Sequence, residues 1–522
     1  MWLVDREQMR NIDHFMMEKV GIDGLALMEV AGSAVARSCI DCARNIGKKG
    51  WLSVHVVAGK GHNGADGFVA ARYLLAQGHH VLVWVTSEAS QLSAACKKQM
   101  QAYLALGGQL AQSDDDLAKA DVIIDAILGT GSRLPLQESL RPFARAIRES
   151  GRPVVAVDIP SGLDASTGQV DPDVILASVT VTLGYAKMGL YQYPGKDFVG
   201  KVVLESLSMP DDLAVDHGAY AIALKDDEWL HMRMRRDQNS HKGTFGKAGV
   251  VAGSQGMLGA ARMALEAAYR AGAGLVEWFC SLDTPDSFWT TLPAEILVHL
   301  YEGKSGEWQD HVISHLLEWS KGQTALLLGP GMGHGIRRLA STQPEALLRL
   351  SEIPLPMVLD ADFLHALSLM PDQGREWYAT RRHSTIITPH PKEFARLVEM
   401  DTAAVQQNRV WHARSYSTKH QVIVVLKGAG TVTALPDGRV YINTSGNSGL
   451  ATGGSGDILA GYLTGLLASG YPAEIAAPLG VYLHGKAADL ARDAGNCEES
   501  LMASDLLSWL SRAYSPLFPT GI

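Results

Sequence analysis

Short apolar runs rich in β-branched residues recur in the first part of the chain and alternate with segments of helical periodicity. The runs lie at 52–58, 81–86, 122–126, 154–158 and 179–183. Helical patterns such as 67–77 and 90–106 lie between them. Near-continuous hydrophobic strands separated by helices are typical of a parallel sheet covered on both faces. The pattern predicts a Rossmann-like, doubly wound α/β domain. Several of its strands are followed directly by Gly or Asp, as is typical of the ligand-binding edge of such a sheet.

A second and larger set of apolar runs follows a looser stretch around residues 209–212. These runs lie at 249–252, 275–279, 325–328, 357–359, 385–387 and 422–426. Helical patterns such as 260–271 and 457–468 alternate with them. We therefore expect two α/β domains, one over residues 1–220 and one over residues 225–520.

The length of the chain supports this division into domains, and its charge narrows the classes of partner that we expect. A chain of 522 residues exceeds a single core, because chains beyond about 250–300 residues divide into domains. The net charge of −9 offers no basic surface, so we expect no nucleic-acid or membrane partner. Asp5, Arg6 and Glu7 stand where a signal peptide would need apolar residues, and no uncharged apolar run reaches about 18 residues. A cytoplasmic protein is expected.

A glycine-rich turn follows the first long apolar run. Gly59, Gly61 and Gly64 form G-x-G-x-x-G between a strand and a helix, which is the fingerprint of dinucleotide-binding domains. Glu88 lies where such a domain places a ribose-binding acid, so an NAD-dependent dehydrogenase is one hypothesis. The polar residues within 62–66 exceed the needs of a pyrophosphate loop, and helix capping by Asn or Asp explains one of them.

Two further strands end in polar residues beside glycine turns. Asp125 begins D-A-I-L-G-T-G at 125–131, and Ser161 lies in V-D-I-P-S-G at 157–162. Together with Asn63 of the first glycine turn, they place oxygen ligands at three adjacent strand ends, which suits a hard cation. One charge among three side chains favours weak monovalent binding over a calcium site.

The strongest local signal is a second glycine loop at 447–461, N-S-G-L-A-T-G-G-S-G-D-I-L-A-G. Its glycines and hydroxyl residues precede an apolar helix with Asp457 in the first turn. Backbone N–H groups at such a helix start form an anion site suited to phosphate. A carboxylate there is placed to deprotonate a hydroxyl that attacks phosphorus, with helix capping as the structural alternative.

The N-terminal motifs resemble those of the NAD(P)H-hydrate epimerase family, in the same order. They are the glycine loop at 59–67, the segments 125–131 and 157–162, and Lys187 in G-Y-A-K-M-G-L at 184–190. The resemblance covers about residues 5–215. The family pattern has two Asn and two Gly in the loop, whereas this chain has His62 and Ala65 in place of one of each.

This resemblance implies interconversion of the R and S hydrates of NADH and NADPH at the hydroxyl-bearing ring carbon. It implies a potassium ion held by Asn63, Asp125 and Ser161. Asp158 is the carboxylate best placed to exchange protons with the ring, with capping of the turn at Ser161 as its structural alternative, and Lys187 joins it as a catalytic residue. Substrate contacts are implied for His62, Asn63, Gly64, Ala65, Asp66, Gly129, Thr130, Gly131, Ser132, Arg133, Leu134, Pro135 and Asp158.

In the C-terminal part, G-x-G-D at the start of a late helix resembles the ribokinase-like fold. The wider pattern is similar to the ADP- or ATP-dependent NAD(P)H-hydrate dehydratases. The matching segments are 241–246, 253–254, 259–274, 329–333, 360–362, 388–391, 427–431 and 447–461. They cover about residues 228–512, and Lys392 departs from the family pattern, where glycine is common. A ribokinase-like α/β domain is implied.

The implied reaction uses a nucleotide phosphate to turn the hydroxyl of the S hydrate into a leaving group, and elimination then restores the dihydronicotinamide. We expect ADP as the donor, giving AMP and phosphate, with Mg²⁺ neutralising the phosphate charge. Asp457 is the implied base. The hydrate would contact Ala260, Gly331, His390 and Asp457, with an ordinary loop histidine as the alternative for His390. Nucleotide contacts are implied for Lys427, Gly428, Ala429, Gly430, Thr431 and Gly456.

The leading hypothesis is a bifunctional repair enzyme whose small-molecule substrates are the NAD(P)H hydrates and ADP. Two activities on one chain make chemical sense, because hydration yields both epimers and a stereospecific dehydratase alone would leave one of them. A homo-oligomer is expected. The alternatives are a ribokinase-like small-molecule kinase with a dinucleotide-binding domain and a non-enzymatic nucleotide sensor, which would need the loss of Asp158 or Asp457.

Overall fold

The computed structural model describes residues 1–114, 117–224, 228–370 and 377–514. The chain divides into two compact units, Met1–Ile222 and Ala223–Ile522. The strands up to the boundary are β1 Trp2–Val4, β2 Ser53–Ala58, β3 His80–Val85, β4 Gln109–Ala111, β5 Val122–Ala126, β6 Val154–Val157, β7 Val179–Leu183, β8 Ala186–Lys187, β9 Lys201–Glu205 and β10 Ala221–Ala223. The helices of the first unit are α1 Arg6–Glu18, α2 Gly24–Asn45, α3 His62–Ala76, α4 Ala94–Ala105, α5 Arg141–Glu149 and α6 Asp211–Asp216.

The first unit is built on a parallel sheet with the strand order β4-β3-β2-β5-β6-β7-β9. Alternate residues of its strands point to opposite faces, as the two-residue period of a strand requires. Val56 belongs to a core shared with α2, α3 and α4, whereas Val57 and Ile123 belong to a second core with α5. Helices therefore cover both faces, and the predicted α/β architecture is confirmed.

The start of α3 differs from the prediction. The periodicity places this helix at 67–77, but it runs from His62 to Ala76. Gly61 is the N-cap, with an extended backbone, so residues 62–66 form the first helical turn instead of a loop. The small residues Gly64 and Ala65 are buried there, and this turn can pack tightly against the sheet.

The second unit contains more strands and helices. Its strands are β11 Lys247–Val251, β12 Leu275–Ser281, β13 Leu297–Tyr301, β14 Ala325–Leu328, β15 Met357–Leu359, β16 Thr385–Ile387, β17 Ile423–Leu426, β18 Val432–Ala434 and β19 Val440–Ile442. Its helices are α7 Trp229–Met232, α8 Leu258–Arg270, α9 Asp286–Trp289, α10 Asp310–Ser320, α11 His334–Thr342, α12 Pro344–Leu348, α13 Ala361–Ser368, α14 Pro391–Leu397, α15 Thr402–Gln407, α16 Arg409–His420, α17 Ser455–Ala468, α18 Ala473–Asp493 and α19 Ala503–Tyr514. Among all described residues, the helices are too short or too polar to cross a membrane.

The sheet of the second unit is parallel from β13 through β12, β11, β14, β15 and β16 to β17, and continues antiparallel through β18 and β19. Helix α17 lies at its centre, and all residues from 458 to 468 are buried. It approaches α8 closely, because a methyl group at Gly461 would lie 2.1 Å from the carbonyl oxygen of Ala264. Glycine is therefore required at this crossing, and the helix that follows the second glycine loop is fixed on all sides.

Candidate active sites

A cavity of about 710 Å³ lies at the carboxyl ends of the strands of the first unit. Ligands bind at this edge in open α/β sheets. The predicted substrate-binding residues that line it are His62, Asn63, Asp66, Gly129, Thr130, Gly131, Ser132 and Asp158. Gly64 and Ala65 are buried instead, with Ala65 in the hydrophobic core, and the described lining does not include Arg133, Leu134 or Pro135. The cavity thus collects part of the predicted set.

The polar residues at the start of α3 are not helix caps. Gly61 occupies the N-cap position, and no described side chain bonds to the free N–H groups of this helix start. Asn63 and Asp66 both line the cavity instead, so the capping alternative for these residues is wrong. Two polar side chains are left to face a ligand.

Asp158 and Lys187 form a buried ion pair in this cavity. The Nζ of Lys187 donates to Oδ1 of Asp158 at 2.5 Å, and the backbone N–H of Thr130 donates to Oδ2 at 2.9 Å. Burial alone would raise the pKa of Asp158, but Lys187 and Thr130 outweigh burial and lower it. Asp158 also has a φ of 68°, which a non-glycine residue adopts only where its surroundings impose it. It is an ionised carboxylate in a constrained position.

The turn at Ser161 is held by Asp125, not by Asp158, so the capping alternative for Asp158 is wrong. The backbone N–H of Ser161 donates to Oδ2 of Asp125 at 2.8 Å, and its hydroxyl donates to Oδ1 at 2.7 Å. Asp125 is fully buried, and burial raises its pKa to about 6 although these hydrogen bonds oppose the shift. Within the described residues it has no Lys or Arg partner. A buried carboxylate without a positive neighbour has the chemistry of a cation ligand.

Asn63 and Asp158 both lie beside Gly129. A methyl group at Gly129 would lie 2.8 Å from Oδ1 of Asn63 and 3.2 Å from Oδ2 of Asp158, so a larger residue would displace both oxygens. The Nδ2 of Asn63 is buried and has no hydrogen-bond partner in the described part of the chain. The described residues contain no cluster of three His, Cys, Asp or Glu side chains suited to a metal. A cation here would depend on amide, hydroxyl and carboxylate oxygens.

Sequence reasoning missed Asp13, which lines the same cavity from α1. Burial raises the pKa of Asp13 to about 6, while Lys187 opposes the shift and Asp158 adds to it. Burial also raises the pKa of Asp66 well above its ordinary value, and Asp158 and Asp13 increase that shift. A lone acid in an amphipathic helix gives no signal that separates it from a surface residue.

The second unit has a cavity of about 480 Å³ that brings together Ala260, Gly331 and Asp457. Glu393 also lines it, and the described lining does not include His390. His390 is the N-cap of α14, where its Nδ1 accepts the backbone N–H of Glu393 at 3.2 Å and of Lys392 at 3.1 Å. The structure thus gives His390 a capping role that the sequence did not suggest.

Asp457 lies in the first turn of α17 but does not cap it. The N-cap is Gly454, and no side chain of the described residues bonds to this helix start, so the capping alternative is wrong. The free N–H groups can therefore bind an anion. Burial raises the pKa of Asp457 to about 6, with Asp360 adding to the shift and Lys427 opposing it. Such a carboxyl is suited to general-base catalysis near neutral pH.

Lys427 lies beside Gly456, at the anion-binding end of α17. Its Nζ donates to Oδ1 of Asp360 at 2.8 Å. Burial disfavours the charged form of Lys427, but Asp360 and Glu393 outweigh burial and raise its pKa. A permanent positive charge therefore adjoins the free N–H groups of the helix, as phosphate binding requires.

Arg409 is a second residue that sequence reasoning missed. It is buried, and its guanidinium donates to the carbonyl oxygens of Leu426 at 2.8 Å, Lys427 at 3.0 Å and Ala429 at 2.7 Å. These bonds fix the backbone of the predicted nucleotide loop. The hydroxyl of Thr431 closes the loop by donating to the carbonyl of Gly428 at 2.9 Å.

Comparisons with known proteins match both units. A family model described as NAD(P)H-hydrate dehydratase matches residues 248–511, and one described as YjeF-related protein N-terminus matches residues 24–189. The chain is 34% identical to the bifunctional NAD(P)H-hydrate repair enzyme Nnr of Moorella thermoacetica, over 98% of this chain and 96% of that protein. The chain belongs to the bifunctional NAD(P)H-hydrate repair enzymes.

Other members and structures are similar to this repair enzyme. The Escherichia coli protein of the same name is 34% identical over 96% of this chain and 92% of its own length. A crystal structure of the ADP/ATP-dependent NAD(P)H-hydrate dehydratase from Bacillus subtilis with ATP/Mg²⁺ is 29% identical, covering 56% of this chain and 96% of that chain with a TM-score of 0.46. As a repair enzyme, the chain combines NAD(P)H-hydrate epimerase and ADP/ATP-dependent dehydratase activities, and the dehydrogenase, kinase and sensor hypotheses are set aside.

Proposed function

We propose that residues 1–220 carry the epimerase activity and residues 225–520 the dehydratase activity. The observation that supports the second assignment most directly is Asp457, a carboxyl with a pKa of about 6 at an uncapped helix start beside Lys427. The buried pair of Asp158 and Lys187 supports the first.

In the epimerase cavity, the ionised Asp158 would take the hydroxyl proton of the hydrate, and Lys187 would keep Asp158 ionised through their 2.5 Å contact. The dinucleotide would lie against the segments that follow β2 and β5, where His62, Asn63, Asp66 and residues 129–132 line the cavity. The hydrogen bonds that Asp158 accepts from Lys187 and Thr130 hold its carboxylate in this cavity.

Asn63, Asp125 and Ser161 would hold the potassium ion. They fit such an ion, because Asp125 is a buried carboxylate without a described basic partner and Gly129 leaves space beside Oδ1 of Asn63. A bound monovalent cation would supply positive charge near the phosphates or ring of the substrate. The ion would also fix the turns at the ends of β5 and β6, which carry Thr130 and Asp158.

In the dehydratase cavity, Asp457 would remove the proton of the substrate hydroxyl, whose oxygen attacks the terminal phosphorus of ADP. The bond from that phosphorus to AMP breaks, and phosphate then leaves the ring carbon as a neighbouring ring carbon loses a proton. Lys427 and the free N–H groups of Gly456 and Asp457 would stabilise the phosphate charge. Magnesium bound to the phosphates would neutralise further charge, and Asp360 and Glu393 are the nearby carboxylates that could hold it.

The remaining contacts are assigned by position. Ala260 and Gly331 would contact the hydrate across the 480 Å³ cavity, and His390 would act at its border. The loop from Lys427 to Thr431, fixed by Arg409, would bind the nucleotide. We further propose that the protein forms a homo-oligomer and that it lies in the cytoplasm. Sedimentation of the purified protein tests the first proposal, and cell fractionation tests the second.

One experiment tests the assignment of both activities. The full chain receives chemically hydrated NADH with Mg²⁺ and either ADP or ATP, and recovery of the dihydronicotinamide absorbance is followed. Recovery of both epimers with at least one nucleotide is expected. Absence of recovery with both nucleotides would refute the proposed function, and recovery limited to the S epimer would refute the epimerase assignment.

A further inference from the structure

Helix α1 presents one carboxyl group to the epimerase cavity. Met9, Asp13 and Met17 are four residues apart, so they lie on the same face of the helix, and all three line the cavity. Asp13 is the polar member of this otherwise apolar stripe. In the described part of the chain it makes no hydrogen bond and no ion pair, which leaves its carboxyl available to a ligand.

The position of α1 is fixed by contacts at its N-terminus. Asp5 and Gln8 form a capping box, and the Nε of Arg6 donates to the carbonyl of Thr130 at 3.0 Å. Thr130 also bonds to Asp158, so α1 and the proposed base are attached to the same loop. The matched range of the YjeF-related family model begins at residue 24, after this helix.

The charged groups around Asp13 come from three other elements. They are Asp66 in α3, Asp158 after β6 and Lys187 in β8. Asp158 has a lowered pKa and is ionised, whereas burial raises the pKa of Asp13 to about 6. Asp66 also has a raised pKa but is only 7% exposed, so Asp13 is the more accessible of the two. Two carboxyls whose pKa values are pushed apart in one site are the arrangement that supplies an acid and a base.

We propose that Asp13 is a catalytic residue of the epimerase, the carboxylic acid that donates a proton to the ring nitrogen of the hydrate while Asp158 accepts the hydroxyl proton. This inference rests on the proposed function of the cavity. The carbon that bears the hydroxyl is also bonded to the ring nitrogen, so inversion at this carbon can proceed by opening and closing the ring.

The protons and electrons balance over this cycle. The O–H proton moves to Asp158, a C=O bond forms, the C–N bond breaks, and its electron pair takes the proton of Asp13. After rotation about the neighbouring C–C bond, the nitrogen attacks the other face of the carbonyl. Its N–H proton returns to Asp13, and Asp158 returns a proton to the oxygen. Both carboxyls regain their starting states, and no oxidant or co-reactant is consumed.

The test uses the full chain carrying Asp13→Asn, with Glu18→Gln as a matched control. Glu18 is an exposed acid on the same helix, so the control removes a charge outside the cavity. Pure R hydrate is supplied without nucleotide, and formation of the S hydrate is followed by chromatography. Loss of a general acid lowers a rate by about 10²–10⁴-fold. We expect Asp13→Asn to lower the enzymatic rate of S hydrate formation by at least about 100-fold and Glu18→Gln to leave this rate unchanged.

A pH profile separates catalysis from a structural role. The acid form of Asp13 is lost as pH rises through its pKa of about 6, so the wild-type rate should fall across this range. This falling limb of the pH–rate profile should be absent in Asp13→Asn. Asp13→Glu should recover part of the rate together with the limb. An unchanged rate in Asp13→Asn overturns the proposal, and so does a loss with an unchanged pH profile and no recovery in Asp13→Glu. If the wild type itself forms no S hydrate, the proposed function of the cavity fails instead.

Discussion

The substitution Lys187→Met removes the positive half of the buried pair with Asp158. The Lys187 side chain is 1% exposed, and its Nζ contacts Oδ1 of Asp158 at 2.5 Å and the carbonyl of Leu183 at 2.6 Å. At an effective dielectric constant of about 20, Coulomb attraction over this distance is about 7 kcal/mol. Part of it offsets the cost of burying both charges, and removing one partner of such a pair usually costs about 3–5 kcal/mol. We expect the first unit to lose about this much stability at neutral pH.

The cost should depend on pH and on Asp158. The wild-type Asp158 has a lowered pKa, so its stabilising contribution is present above the ordinary pKa of an aspartic acid, about 3.9, and disappears as pH falls. The penalty of Lys187→Met should therefore shrink in acid, where Asp158 without a cation takes a proton. Asp158→Asn in the same chain should remove most of the penalty at neutral pH.

The double-mutant cycle consists of the wild type, Lys187→Met, Asp158→Asn and the double variant. Urea unfolding of these four chains, followed by circular dichroism at pH 7.5 and pH 4.5, measures the free energy of unfolding that each substitution costs. The transition of the first unit is identified by its shift in Lys187→Met, while dehydration of the S hydrate reports on an intact second unit. A cost below about 1 kcal/mol at pH 7.5, or the same cost in the Asp158→Asn background, would refute the reasoning.

Three further predictions concern the two sites. Asp457→Asn should lower the rate of dehydration of the S hydrate by about 10²–10⁴-fold, while R-to-S conversion persists. The wild-type dehydration rate should rise with pH through about 6 as Asp457 ionises, and a flat pH profile would contradict its role as the base. Gly129→Ala should displace Oδ1 of Asn63 and raise the potassium concentration that half-activates the epimerase, whereas an unchanged potassium titration would argue against the cation site. Arg409→Met removes three hydrogen bonds of about 0.5–1.5 kcal/mol each from the nucleotide loop, so the KM for ADP should rise about tenfold or more. An unaltered KM with normal circular dichroism would show that the loop keeps its conformation without Arg409.

Much of the fold could be predicted because buried parallel strands are nearly continuous in hydrophobicity. Strands β5 and β14 coincide with the apolar runs at 122–126 and 325–328. Strand β13 was missed because Leu297, Val298 and Leu300 are partly exposed at the sheet edge, among residues of mixed polarity. The start of α3 was placed five residues late because glycines signal a loop in the sequence, whereas here small residues form a tightly packed helical turn.

The site was predictable where its chemistry lies in short contiguous motifs. Asp158 and Asp457 follow this rule, since Asp158 comes directly after β6 in a short motif with Gly162, and Asp457 stands in the glycine loop that opens α17. Asp13 and Arg409 do not, because each lies within a helix and reaches its partners only through the tertiary fold. The capping role of His390 could not be predicted either, because its Nδ1 meets the N–H groups of Lys392 and Glu393 only once α14 has formed.

The burial of α17 has a consequence for how the dehydratase fails on heating. A helix packed on every side, with Gly461 against the backbone of α8, cannot fray or shift without exposing its whole apolar surface. The anion-binding N–H groups at its start therefore share the cooperative stability of the second unit, unlike a loop that melts early. Thermal loss of dehydratase activity should coincide with global unfolding of that unit, and hydrogen exchange from Ile458 onward along α17, where the amides are bonded and the side chains buried, should be among the slowest in the unit.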